Sequence, residues 1–169
     1  MGIDTPAPGA KRISKTAYYM TAAKAISLRS TCLRRRYGAV VVKNDSIVTS
    51  GYNGSPRGLA NCVDSGSCYR QEMGIPHGSN YELCKSVHAE QNAIINAART
   101  GGSSIIGGSM YIFGYDPLEP DRAFEVRPCR MCVRFIINAG IEKVYCCCND
   151  VTDQGIQLLD LDALKNLCE

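Results

Sequence analysis

The sequence predicts an α/β protein built as a three-layer α/β/α sandwich around a mixed sheet. Three observations carry this. A β-hairpin pattern lies near the N-terminal end, helix and strand patterns alternate after it, and no repeat or linker divides the chain. A length of 169 residues suffices to bury a core. One domain over residues 15–169 is expected, preceded by a disordered tail over 1–14.

The elements follow in order. In 15–30, Ala17, Met20, Ala23 and Ile26 recur at helical spacing with few breakers, so a helix is expected. "YGAVVVK" and "SIVTSGY" are β-rich runs joined by the turn "ND", which predicts a hairpin of Tyr37–Lys43 with Ser46–Tyr52. Residues 53–86 are rich in Gly, Ser, Pro, Asn and Cys without any period, and a loop of that length needs an anchor. "HAEQNAIINAART" reads as a helix ended by the glycines at 101–102. "GSMYIFG" reads as a strand. "PCRMCVRFIINAG" reads as a helix opened by Pro128 and stopped by Gly140. "IEKVYCCC" is a further strand, and "DLDALKNLC" a short closing helix.

Composition narrows the function classes. Hydrophobic residues are 45% and charged residues 21%, ordinary for a globular protein. A formal charge of +3 with no basic tail argues against a polynucleotide partner. No stretch reaches the roughly 18–20 apolar residues that cross a bilayer. "MGIDTPAPGAKR" lacks the apolar core of a signal peptide, so a cytoplasmic protein is expected. Ten cysteines in a reducing compartment point to metal ligation or catalysis more than to disulfides.

One of the two histidines, His88, stands two residues before Glu90 at a predicted helix start. Cys129 and Cys132 in "RPCRMC" have C-x-x-C spacing, which on a helix puts both sulfurs on one face. A helix N-terminus also favours the thiolates that metals need. One imidazole and two thiolates leave a tetrahedral zinc one open position, the mark of a catalytic site. Zinc lowers the pKa of a water there toward neutrality and makes it a nucleophile. Glu90 is then the general acid and base. A redox pair would explain C-x-x-C alone but leaves His88 and Glu90 without a role. H-x-E followed by P-C-x-x-C is the known signature of the zinc-dependent nucleobase deaminases.

"HAEQNAI" with "PCRMC" resembles the cytidine deaminase-like superfamily. "GYNGSPRG" after "STCLRRRYGAVVVKND" resembles its deoxycytidylate (dCMP) deaminase branch, of the bacterial and phage type. The resemblance covers about residues 15 to 148. It implies that His88, Cys129 and Cys132 hold zinc, that water attacks C4 of the pyrimidine, and that Glu90 protonates N3 as ammonia leaves. The reaction would be dCMP to dUMP. It also implies that Asn53 contacts the sugar, although N-G is equally a turn signal. Main-chain carbonyls near Val87 and Pro128 would accept the exocyclic amine. One of Arg34, Arg35 and Arg36 is expected to touch the 5′-phosphate, since arginine suits phosphate, with solvated surface as the plainer alternative.

Some relatives carry a second, structural zinc. In them, cysteines matching Cys32 and Cys62 join ligands supplied just before the H-A-E motif; here Cys68 and Cys84 would complete the set, with His77 as an alternative in place of Cys68, and such a site would anchor the long loop. Cys146, Cys147, Cys148 and Cys168 read as small core residues. The resemblance further implies a homo-oligomer, a hexamer in many members, and in some members control by dCTP and dTTP with Mg2+.

The chain departs from the family between the third strand and Cys129. "GYDPLEPDRAFEVRPC" is a longer connection, and it adds Asp116, Glu119, Asp121, Arg122 and Phe124 beside the site. Arg130 and Met131 are bulkier than usual inside C-x-x-C. This 114–127 insertion could act as pocket wall, lid or subunit interface, and it raises a second expectation, the deamination of another aminated nucleobase, nucleoside or modified nucleotide. A non-catalytic zinc module would account for the cysteines but not for Glu90.

Overall fold

The computed structural model describes residues 12–101, 104–149 and 151–168. Most of the 1–14 tail therefore lies outside the described residues.

Helix α1 (Lys15–Ser27) begins where Ser14 turns extended and its side chain accepts the Ala17 N–H at 3.0 Å. Ser14→Ala should cost about 1 kcal/mol. Thermal melting should show a midpoint about 2–4 °C lower. An unchanged midpoint would mean that α1 is held by packing alone.

Strand β1 (Arg36–Lys43) turns through Asn44 and Asp45, both at positive φ as a tight hairpin needs, into β2 (Ser46–Tyr52). Two one-turn helices, α2 (Cys62–Ser65) and α3 (Tyr69–Glu72), punctuate the long loop. Helix α4 (Ala89–Thr100) leads to β3 (Ser109–Tyr115), α5 (Arg130–Asn138) and β4 (Lys143–Cys148). The chain closes with β5 (Gln157–Leu159) and α6 (Leu161–Asn166). The sequence pattern did not mark β5, because three residues are too few to show alternation.

The sheet has five strands in the order β2-β1-β3-β4-β5. The β3–β4 pair is parallel and the other pairs antiparallel, so the sheet is mixed as expected. Alternation divides its side chains. Val40, Val42, Tyr111, Phe113 and Cys147 pack with α1 residues Tyr19, Met20 and Ala23. Ala39, Val41, Met110, Ile112 and Cys146 pack under α4, α5 and α6 on the other face. Those two layers complete the sandwich.

Close approach fixes α4 on β2. A Cβ on Gly51 would lie 2.3 Å from the Ala93 nitrogen and 2.5 Å from the Ala89 carbonyl oxygen. Asn92 and Asn96, one turn apart, donate to the Tyr52 and Ser50 carbonyls at 2.7 and 2.8 Å. Among the described residues no helix is long and apolar enough to cross a membrane.

Candidate active site

The N-terminal ends of α4 and α5 meet above one end of the sheet. His88 is the N-cap of α4, and the Gln91 side chain accepts its N–H at 3.1 Å. Glu90 follows in the first turn. Cys129 is the N-cap of α5, so Pro128 precedes the helix instead of opening it, and Cys132 lies one turn in. Both helices thus aim their positive ends at the same place, which suits thiolates.

His88 Nδ1 lies 3.5 Å from Cys129 Sγ and 3.3 Å from Cys132 Sγ. All three donor atoms fall within 4.8 Å of one another, the one such group among the described residues. Zinc bonds of about 2.0 Å to nitrogen and 2.3 Å to sulfur at a tetrahedral angle demand a separation of roughly 3.5 Å. The donors are already spaced for that ion.

Electrostatics agree with the geometry. Cys129 is pushed down to about 4, chiefly by the Cys132 thiol that bonds to it, and by His88 against the effect of burial. Cys132 is pushed up by the same shared proton and by burial. Burial alone would lower His88, but the Cys129 sulfur and the Glu90 charge outweigh it and raise the imidazole. Glu90, only 6% exposed, is raised chiefly by burial. Two sulfurs, an imidazole and a carboxyl therefore compete for protons in one small space.

The wall beside His88 includes residues that sequence reasoning missed. The Tyr81 ring stands edge-on to the His88 ring at 4.9 Å, and the Arg70 guanidinium lies 4.9 Å from the Tyr81 ring centre. Arg70 is 6% exposed and donates to the carbonyls of Pro76 and Ser79. An arginine in a Gly-rich loop carries no sequence signal of burial. Tyr37 also turns to this face, packed on Gly114 and edge-on to Phe124 at 6.4 Å.

Asn53 is buried beneath the site as a junction. Its Oδ1 accepts from Ser30 Oγ at 2.6 Å and from the Tyr37 N–H at 2.8 Å, and its Nδ2 donates to the Arg35 carbonyl at 2.9 Å. The Val87 carbonyl accepts the Gly54 N–H at 3.2 Å. The arginines diverge. Arg34 Nη2 donates to the Ile75 carbonyl at 3.0 Å, while its buried Nη1 meets no acceptor. Arg35 pairs with Asp116 and lies 4.2 Å from the Phe124 ring centre. Arg36 bonds Tyr115 Oη on the α1 face of the sheet, away from His88.

Cys62, Cys68 and Cys84 line one small cavity in the long loop. Burial raises Cys32 against the lowering backbone N–H groups of Arg35 and Arg34, and burial followed by the neighbouring sulfurs of that set raises Cys62. The four thiols are neighbours, though not at ligand separations. His77 is lowered first by burial and then by the charges of Arg34, Arg35 and Arg70. Cys146 and Cys147 are buried in β4, as expected of core residues.

A sequence profile for the cytidine and deoxycytidylate deaminase zinc-binding region matches residues 13–148. The deoxycytidylate deaminase of Mycobacterium phage D29 is 35% identical over 132 residues, 75% of this chain and 89% of its own length. The deoxycytidylate deaminase of Schizosaccharomyces pombe is 31% identical over 137 residues, 81% of this chain. The chain spans only 38% of that yeast protein. A dCMP deaminase of cyanophage S-TIM5, solved in complex with dCMP and dUMP, aligns with a TM-score of 0.60 and 30% identity, covering 94% of this chain and 95% of its own.

Proposed function

Since the chain belongs to the cytidine and deoxycytidylate deaminase zinc-binding family, we propose that it hydrolyses a pyrimidine deoxynucleotide, dCMP, to dUMP and ammonia. The observation that carries this reading is the convergence of His88, Cys129 and Cys132 at zinc-ligand spacing, with Glu90 in the first turn of the helix that His88 caps. Three protein donors leave a fourth position for water or substrate. Zinc, when bound, supplies the Lewis acidity that makes water a nucleophile near neutral pH.

The chain's own residues do the rest. Glu90 takes the proton from the attacking water, delivers it to N3 of the base, and assists departure of the amino group. Its buried position favours an uncharged form between these transfers. The Val87 carbonyl keeps a second lone pair beyond its bond to Gly54, and with the Pro128 carbonyl it accepts the exocyclic amine. Asn53 keeps one amide hydrogen beyond its bond to Arg35, the donor that a sugar contact requires. Arg34 and Arg35 serve the 5′-phosphate, because Arg36 lies on the opposite face of the sheet. Ammonia release from dCMP, CMP, dCTP, deoxycytidine, 5-substituted dCMP and guanine tests the reading. Silence on dCMP would overturn the substrate.

A second reading, a modified pyrimidine nucleotide as substrate, is favoured by one feature. The 114–127 segment packs onto Tyr37 beside the site through Phe124, so it shapes the pocket. Turnover of a 5-substituted dCMP alone in that panel would select it.

A structural zinc on Cys32, Cys62, Cys68 and Cys84 is also part of the proposal, supported by the three thiols lining one cavity. Metal analysis should find a catalytic and a structural zinc per chain. Cys132→Ala should lose the first together with all turnover, and Cys62→Ser the second together with thermal stability. One zinc in the parent chain would remove the loop site. A homo-oligomer of hexameric type, with control by dCTP and dTTP with Mg2+, completes the proposal; exposed Ile95, Met131 and Phe135 on α4 and α5 are apolar surface suited to subunit contact. Ten free thiols support a reducing, cytoplasmic setting.

A further inference from the structure

We infer that Asp116 is a positioning residue that aims Arg35 at the substrate's 5′-phosphate, so that the 114–127 segment sets the preference for nucleotide over nucleoside. The inference rests on the nucleotide deaminase reading above. Arg35 is held at its backbone and at its head. Asn53 Nδ2 takes its carbonyl at 2.9 Å, and Asn53 Oδ1 holds the N–H of Tyr37, two residues on. At the head, the Asp116 carboxylate accepts from Nη1 while the Phe124 ring covers one face of the guanidinium at 4.2 Å. Both partners are largely buried, 16% and 14% exposed. Such a pair is far less screened than a surface ion pair.

Asp116 is itself fixed within the segment, accepting the Leu118 N–H at 2.9 Å. Phe124 stands edge-on to Tyr37, and Tyr37 packs against Gly114 on the face that carries His88 and Glu90. The clasp thus joins the segment to the wall of the catalytic site. A guanidinium offers five donors in a rigid plane. Asp116 engages one nitrogen, and no other described residue accepts from the guanidinium, so the remaining donors keep a fixed direction. That is the arrangement phosphate recognition needs, because a pre-oriented fork loses little entropy on binding.

The surroundings carry a surplus of positive charge. Arg34 adds a buried Nη1 with no acceptor, and Arg70 a buried Nε with none. His77 lies within the field of Arg34, Arg35 and Arg70, which Asp116 opposes. A carboxylate placed only to neutralise would need to match three guanidiniums. One carboxylate orients instead, and leaves the excess to an incoming anion.

The test is calorimetric titration of zinc-loaded full-length protein with dUMP and with deoxyuridine, alongside dCMP kinetics. Asp116→Asn should weaken dUMP binding about tenfold, the loss of one charge-assisted contact. Deoxyuridine affinity should hold, which also verifies folding, and the kinetic effect should fall on KM more than on kcat. Asp116→Glu should recover most of the dUMP affinity. Arg35→Lys, which keeps the charge and loses the fork, should repeat the selective loss. Equal or tighter dUMP binding by Asp116→Asn would overturn the inference, because Asp116 would then compete with phosphate or ignore it. An equal loss for both ligands would make Asp116 a wall residue and overturn it too, as would a parent chain without preference for dUMP. A parent chain that binds dUMP selectively yet deaminates neither dCMP nor deoxycytidine would sink the activity while leaving the positioning role standing.

Discussion

If the proposed reaction holds, Glu90→Gln should fold, retain zinc and release ammonia from dCMP about a thousandfold more slowly than the parent chain, within the range for removing a general acid–base group. Glutamine has the shape of glutamate, so the first turn of α4 keeps its packing around a side chain that is 6% exposed. The candidate ligand donors belong to His88, Cys129 and Cys132, and glutamine leaves them untouched. What disappears is the ability to take a proton from water and return it to the base. Metal analysis and circular dichroism separate this from damage to the fold. Turnover within tenfold of the parent would reassign the proton transfers to another group, and loss of zinc would show Glu90 supporting the ligands instead.

Gly51→Val is expected to be the most damaging single change to the fold, costing about 3 kcal/mol or more. The reason is backbone contact. Gly51 on β2 faces the first two turns of α4, and even one methyl group would stand 2.3 Å from the Ala93 nitrogen. No rotamer relieves a clash between a Cβ and a helix backbone, so α4 must lift from the sheet. Asn92 and Asn96 then lose their acceptors on Tyr52 and Ser50, and His88 and Glu90 at the head of α4 move away from Cys129 and Cys132. A lowered melting temperature and reduced zinc content should therefore appear together. Full zinc content in a destabilised protein would show that the metal site tolerates movement of α4.

The candidate site was legible because its residues form two short local motifs. H-A-E and P-C-R-M-C each sit at a helix start, where helical geometry already fixes which side chains share a face. Their meeting on one face of the sheet followed from the alternating element order. Cys129 is nevertheless the cap of α5 and not its first turn, a difference of one position that spacing does not resolve. Other residues were named with less information. Asn53 was marked by a turn motif, and its role as a junction for Ser30, Arg35 and Tyr37 depends on long-range contacts. Tyr81 and Arg70 gave no signal, since ring contacts and burial are not periodic properties of a loop.

By itself the sequence determined the layer order, the hairpin, and which three candidate ligands and which carboxylate would come together, because hydrophobic period and motif spacing are local. Only the tertiary structure decided which members of Arg34, Arg35 and Arg36 face the catalytic side. Strand alternation sends Arg36 to the α1 face, while Asp116 and Phe124, far along the chain, hold Arg35 on the other. A run of three like charges looks uniform in sequence, and the sheet divides it because successive side chains leave opposite faces.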